Sequence, residues 1–274
     1  MAEYVYRVKK SIDMTEDEFS KCSHLFSMNY GKYSAESPRK PGGPVTMSDS
    51  FFEKRYKKEG IYIATCHCAK NGLLVGQAIY VREKYTVGTM TWVMQLVVST
   101  NHRNKGIGSR LLHSIWGFSD DFAWGLATTN PCTVKALERA TFRKCDPKVI
   151  SANSAYIKKL AEEIGFVTDN RYCISDKESQ AYTDFYVDNS EFTKGLNKKE
   201  WRLGELRPGH EWLAFTFKSQ APDKVLYDMH YNEMIAFSEE KLKEAYGRMR
   251  MSSQGWAKLT NPEIDEIVLV CRKE

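Results

Sequence analysis

An apolar run, TWVMQLVV (91–98), hands the chain through the polar turn STNHRNK to GIGSRLLHSIWGF (106–118). The run reads as a strand. The segment after it reads as a helix, with Ile107, Leu111 and Ile115 recurring at four-residue spacing on one face. A strand that feeds a helix through so short a turn fixes a layered arrangement of sheet and helix here.

The turn itself is chemically pointed. Gly106 and Gly108 carry no Cβ, so a bulky group can approach the backbone there. The start of a helix offers unpaired N–H groups and the positive end of the macrodipole, which favours an anion. Arg103 and Lys105 add full charges at the rim. Together these features describe a cradle for a pyrophosphate. A P-loop would need Gly, four residues and then Gly-Lys-Ser/Thr, which is absent. A dinucleotide fingerprint would need a third glycine where Leu111 stands. The pattern that remains is Arg/Gln-x-x-Gly-x-Gly, met by Arg103-Asn104-Lys105-Gly106-Ile107-Gly108.

The rest of the chain supplies a sheet for that helix. EYVYRV (3–8), IYIATC (61–66), LLVGQAIYV (73–81) and FAWGLATT (122–129) read as strands, the second and third joined as a hairpin through KNG. DMTEDEFSKCSHLFSMNY reads as a helix with a Thr15–Glu18 capping box, and SDSFFEKRYKKEG as a shorter one capped by Ser48 or Asp49. SAESPRKPGGPV (34–45) is a loop. In NPCTVKALERATF (130–142), Asn130 can cap a helix whose first position is Pro131. The resulting order, β-α-α-β-β-β-α-β-α, is an α+β arrangement with a mixed, mostly antiparallel sheet flanked by helices. Beyond it, 153–165 reads as a helix closed by Gly165, residues 166–205 as polar and irregular, and HEWLAFTFK (210–218) as a strand. A helix is expected at 238–249 and a last strand at 264–271.

Composition narrows the partners. Net charge is +5, from 40 basic and 35 acidic residues, which permits anionic ligands without the concentrated basic character of a nucleic-acid binder. Seven scattered cysteines argue for reduced thiols and a cytoplasmic setting rather than a disulfide framework. Cys66-His67-Cys68 has no second ligand pair at zinc spacing, and strand alternation would put both thiols on one face as buried groups, so no metal is expected. No segment approaches the roughly 18 apolar residues of a membrane span, and the N-terminus has no signal-like run.

On the residues LVVSTNHRNKGIG (96–108), followed about 30 residues on by NPCTVKALERATF, the chain resembles the GCN5-related N-acetyltransferase (GNAT) superfamily. Asn130 and Phe142 match the family's second motif, and Thr141 stands in place of its glycine. The resemblance covers about residues 4–145. It implies the acyl-CoA N-acyltransferase fold, acetyl-CoA as co-substrate, and N-acetylation of a primary amine on a small molecule or peptide. Backbone groups of Leu96, Val97 and Val98 would meet the pantetheine arm. The loop Arg103, Asn104, Lys105, Gly106, Ile107, Gly108 and Ser109 would hold the pyrophosphate, and Asn130 would lie beside the arm. It also implies a domain over 1–218, with a core at 1–145, an insertion at 146–205 and a closing strand at 210–218, followed by an extension at 219–274.

The catalytic groups are not fixed by this reading. The strand 91–98 has Gln95 and no carboxylate, and the position of the family's usual tyrosine acid is Leu137. Glu83, His102 or a tyrosine could act as base through water, and Cys132 could be an acid, a nucleophile or a packed thiol. Tyr156, Tyr172, Tyr182, Phe185 and Tyr186 could line a substrate pocket or form a satellite core. A CoA-binding regulatory module without turnover is the alternative function, and a nucleic-acid acyltransferase, on the basic runs RVKK, KRYKK and FRK, another. Oligomeric state stays open, a dimer included.

Overall fold

The computed structural model describes residues 3–116, 119, 121–167, 171–194, 196 and 200–232. The expected helix at 238–249 and strand at 264–271 lie outside the described residues. In chain order the elements that matter are β1 (Tyr4–Lys10), α1 (Glu16–Asn29), α2 (Asp49–Tyr56), β2 (Ile61–Cys68), β3 (Leu74–Tyr85), β4 (Gly88–Val98), α3 (Ile107–Trp116) and β5 (Ala123–Thr128). There follow α4 (Pro131–Thr141), α5 (Pro147–Ala152), α6 (Ser154–Glu163), β6 (Tyr172–Ile174), β7 (Ser179–Tyr182), α7 (Ser190–Thr193) and β8 (His210–Phe217).

The strands make one sheet in the order β1-β2-β3-β4-β5-β8-β7-β6. Every pairing is antiparallel except β4 with β5. That exception follows from the sequence, because α3 occupies the connection and a helical crossover returns the chain parallel. The fold is therefore the mixed, mostly antiparallel α+β sheet that the element order implied. One face carries α3 to α6 over a core that includes Trp92, Leu111, Leu137 and Phe215. The other carries α1 and α2 over Phe19, Phe26, Phe52 and Ile79. Burial on both faces is why β4 reads as a continuous apolar run and not an alternating one.

Local signals hold well. The Thr15 hydroxyl accepts from the Glu18 amide while the Glu18 carboxylate accepts from Thr15, which starts α1 as a reciprocal box. Ser48 rather than Asp49 caps α2. Gly165, at φ 65°, ends α6, and the Phe166 amide reaches back to the Ala161 carbonyl.

Three expectations need correction. β3 and β4 run on through polar residues to a tight turn, with Tyr85 opposite Gly88, because ladder hydrogen bonds do not depend on side-chain polarity. The helix expected at 153–165 is preceded by a separate one, α5, broken from α6 at Asn153, whose side-chain amide bonds the Val149 carbonyl. Residues 166–205 are not wholly irregular, since β6 and β7 extend the sheet beyond β8. Their buried polar side chains hid them. Ser179 donates to the Leu213 carbonyl and Gln180 to the Glu205 carbonyl, so neither needs an apolar neighbour.

At Cys66–His67 a register shift in the β2–β3 ladder breaks strict alternation; Cys66 is buried and Cys68 half-buried. No helix among the described residues is long and apolar enough to cross a membrane.

Candidate functional site

The site begins where two parallel strands part. β4 and β5 pair from Met90–Ala123 to Val93–Leu126 and no further. On the other side of β4, Tyr80 faces Val93 and Ile79 faces Gln95, so Met94 is an extra residue, a bulge. The bulge bends β4 away while β5 continues beside β8 as far as Thr128–Trp212. A wedge opens between 94–98 and 127–129.

The register decides which backbone groups face that wedge. The Ser99 amide donates to the Val75 carbonyl at 2.8 Å, so Ser99 and, two residues back, Val97 turn their main-chain groups to β3. Leu96 and Val98 then turn theirs into the opening. The Val98 carbonyl is already met there by Arg103 Nε at 3.3 Å.

A cleft of about 310 Å³ fills the wedge. All the residues singled out from the sequence line it except Lys105: Leu96, Val97, Val98, Arg103, Asn104, Gly106, Ile107, Gly108, Ser109 and Asn130. Asn104 (φ 61°) and Gly106 (φ 74°) are both left-handed, which coils the turn tightly at the mouth of α3. Lys105, between them, stands outside the lining with its Nζ 4.0 Å from Glu3. The Arg110 amide bonds the Gly106 carbonyl and closes the first helical turn. The amides of 107–109 therefore have no acceptor within the helix. At Gly108 an added Cβ would meet Ala136, Leu96 and Val98 only at 3.8–4.0 Å, so packing alone does not demand glycine there.

Arg103 departs from its expected place as a rim charge. Its Nη2 donates to the Asn29 carbonyl at 2.6 Å, and its guanidinium lies over Phe192, 6.0 Å from the ring centre. It ties the end of α1 to the end of β4. Two further cations line the cleft from exposed positions of α4, Lys135 and Arg139. The sequence reading missed both, although their four-residue spacing places them on one helical face.

The catalytic candidates scatter. Glu83, opposite Met90, sits at the far end of the β3–β4 ladder from Val98 and does not line the cleft. Leu137 is buried in the core. Gln95 lines the cleft, but its Oε1 accepts from Gln77 at 2.7 Å and its Nε2 donates to the Tyr56 hydroxyl at 3.4 Å. His102 lies at the rim with Nδ1 3.4 Å from Ser99 Oγ. Cys132 is exposed in the first turn of α4, where Asn130 Oδ1 accepts its amide at 2.9 Å.

Beyond Thr129, Val187 and Asn189, which belong to both spaces, a second cavity of about 580 Å³ opens. The Asn189 amide bonds the Thr129 hydroxyl at the junction. Phe185 and Tyr186 line this cavity. Tyr156 packs on Phe122 and Tyr182 on His210 instead, while Tyr172 lies under the Lys158 ammonium, so the aromatic residues divide between the two expected roles. Tyr30, at the end of α1, lines the first cleft, and β8 carries a buried carboxyl, Glu211. Burial holds the Glu211 carboxyl up to about 7, with the Thr183 hydroxyl pulling it down. Its place in a dense apolar stretch, HEWLAF, was the available signal in the sequence.

A splayed parallel pair with a coiled turn and a free helix start at its mouth is the arrangement of an acyl-CoA N-acyltransferase fold. Residues 27–122 match the model of the acetyltransferase (GNAT) family. The match runs from the end of α1 to the entry of β5. A GNAT-family acetyltransferase from Streptococcus pneumoniae is similar at 11% identity over 78% of this chain and 99% of its own, with a TM-score of 0.36. Arabidopsis thaliana NAA60, solved with a bisubstrate analogue, is similar at 13% identity over 52% and 84%, with a TM-score of 0.35. An aminoglycoside acetyltransferase from an uncultured soil metagenomic sample, in complex with trehalose, is similar at 15% identity over 42% and 69%, with a TM-score of 0.32. No curated protein matches the chain.

Proposed function

We propose that the protein is an acetyl-CoA-dependent N-acetyltransferase of the cytoplasm, acting on a primary amine of a small molecule or peptide, with residues 1–218 as its working unit. The observation that carries this reading is the wedge: unpaired backbone on β4, free amides at the start of α3, and a cleft joining them.

Acetyl-CoA, when bound, supplies an activated acyl group as a thioester. The residues present fit it. The amides of 107–109 point the positive end of α3 at a diphosphate. The Leu96 N–H and C=O extend the sheet onto an amide-bearing arm in the way an added strand would. Lys135 and Arg139 supply charge to the outer phosphates, and Asn130 is held in place by its cap bond. The amine approaches from the Tyr30 and Asn189 side, through the junction with the second cavity. At pH 7 an alkylamine is mostly protonated, against a reference near 10.4, so a base must act first.

The test is titration with CoA by calorimetry, followed by transfer of labelled acetyl groups to a library of amines. CoA binding with acetylation of at least one amine class supports the reading. No binding at millimolar CoA defeats it. A CoA-binding module without turnover is favoured by one observation, the buried Leu137 at the acid position. CoA binding without transfer to any amine decides for it.

A further inference from the structure

The second cavity, about 580 Å³, has the size of a small-molecule site, and it meets the first cleft at Thr129, Val187 and Asn189. Its walls are held by pairing across the chain. Tyr33 bridges Val187, with the Ser34 amide on the Tyr186 carbonyl and the Asp188 amide on the Lys32 carbonyl, both at 2.9 Å. The loop after α1 is thereby fixed to the segment between β7 and β8.

Part of the lining is a pair of indoles. Trp201 and Trp212 meet edge to face at 4.7 Å, and both Nε1 groups donate to the Gly204 carbonyl at 3.0 Å. With the N–H groups engaged there, the two rings offer an occupant carbon surface. Phe185 and Tyr186 add two further rings to the lining. Such walls favour a flat apolar body.

The charge around the cavity has one prevailing sign. Glu36, Asp188 and Glu205 line it from exposed positions. Arg207 also lines it, but Glu178 holds that guanidinium, with Nη2 2.7 and 2.8 Å from the two carboxylate oxygens. His210 turns Nδ1 to the Pro208 carbonyl at 2.9 Å and Nε2 to the Cys173 sulfur at 3.9 Å. Asp188 stands between Val187 and Asn189, two of the residues that both spaces share. Its Oδ1 accepts from the Ser190 amide at 3.0 Å. That bond, with the Ser190 hydroxyl, holds the carboxyl below the usual range, so Asp188 is charged at neutral pH. A cation is welcome at this junction and a second carboxylate is not.

We propose that the second cavity takes the acetyl acceptor, and that this acceptor is a primary amine on an aromatic body with no carboxylate beside the amine. This rests on the acetyltransferase reading above. A free arylalkylamine and a peptide whose first side chain is aromatic share that chemistry. A free aromatic amino acid differs from both in the carboxylate next to its ammonium. The amine enters protonated, drawn by Asp188. Its ring lies against Trp201 and Trp212, and its nitrogen reaches the first cleft past Asn189.

The experiment uses the full chain with saturating acetyl-CoA and four probes: 2-phenylethylamine, phenylalanine, butylamine and phenylalanyl-glycinamide. At least one aromatic probe without the adjacent carboxylate should exceed phenylalanine and butylamine in kcat/KM by about tenfold or more. Whichever of 2-phenylethylamine and the peptide amide is faster identifies the source. Asp188→Asn keeps an oxygen for the Ser190 amide and should cut the preference over phenylalanine to about threefold or less, with CoA affinity unchanged. Trp201→Ala should raise KM for the aromatic amine about tenfold with little change in kcat. Calorimetry with the aromatic amine on CoA-saturated protein gives a readout free of turnover, and Trp201→Ala should weaken that binding by a similar factor. Phenylalanine or butylamine turned over as well as the preferred aromatic probes overturns the proposal, as does Asp188→Asn keeping the full preference. No transfer to either aromatic probe while another amine is acetylated also overturns it. Each of these results leaves the acetyltransferase reading standing. Wild-type protein that binds CoA and acetylates no amine overturns both.

Discussion

Val93 faces Leu126 across the last rung that β4 and β5 share, and the residue after it, Met94, is skipped by the ladder on the opposite side. The bulge and the parting of the strands thus fall at one point. A bulge bends its strand and sharpens the twist, so β4 leaves β5 there while its bonds to β3 continue. The backbone freed by that departure is what the cleft offers to a ligand.

The two glycines at the mouth of α3 are expected to fail in different ways. Gly106→Ala forces a Cβ into a left-handed position and should lower stability by about 1–2 kcal/mol, seen as a drop in Tm. Gly108→Leu has room at its Cβ but fills the cleft. It should leave Tm nearly unchanged and weaken CoA binding at least about tenfold, a loss of about 1.4 kcal/mol. Equal CoA affinity for Gly108→Leu and wild type would remove the diphosphate from this loop.

Arg103 and the α4 cations should separate in the same way. Arg103→Gln loses charged hydrogen bonds to the Asn29 and Val98 carbonyls and should cost about 1.5–3 kcal/mol of stability, measured by urea unfolding. Lys135→Gln and Arg139→Gln should leave stability alone and weaken CoA binding by up to about fivefold each at low salt, less at high salt. A CoA affinity indifferent to both changes and to salt would take the α4 cations out of the site.

Stability against pH should reveal two opposed groups. Burial lowers His113 to about 4 from 6.5, so between those values the unfolded chain holds a proton that the native one refuses, and stability rises with pH. Glu211, raised to about 7 from 4.5, holds an extra proton in the native state, so its part of the stability is lost as pH rises through that window. Between pH 4.5 and 6.5 the two slopes offset each other. Glu211→Gln should expose the rising slope of His113 and be more stable than wild type at pH 8, by on the order of 2–3 kcal/mol. Superimposable urea midpoints for the two proteins across this range would contradict the burial of Glu211.

Gly125 of β5 lies directly opposite Phe215 of β8, and an added Cβ would come within 2.1 Å of that ring. Gly125→Ala should therefore destabilise by about 1–3 kcal/mol or more through overpacking. Gly125→Ala combined with Phe215→Leu should recover part of the loss. A neutral single substitution would mean that β8 does not lie beside β5.

Much of this was legible locally. The box at Thr15–Glu18, the cap at Asn130 and the glycine stop at Gly165 depend on residues two to five apart, and each formed as its sequence dictates. The helix start at 107 was equally plain, because its signals are contiguous. The hydrogen bonds of Arg103 were hidden for the opposite reason. Its partners are the Val98 carbonyl and, 74 residues earlier in the chain, that of Asn29, and no local pattern foretells a bond to a distant backbone. β7 was missed because Ser179 and Gln180 are polar by type and buried by position.

The sequence by itself determined the strand, turn and helix of 91–116, the amides they leave free and the class of ligand such a turn suits, since these follow from backbone periodicity and the missing Cβ atoms. Tertiary structure alone decided that β8 lies between β5 and β7, and that Glu211 is thereby buried near the start of β8. A carboxylate's pKa is set by the water and charge around it, and which segments exclude that water is fixed only when strands distant in sequence pair.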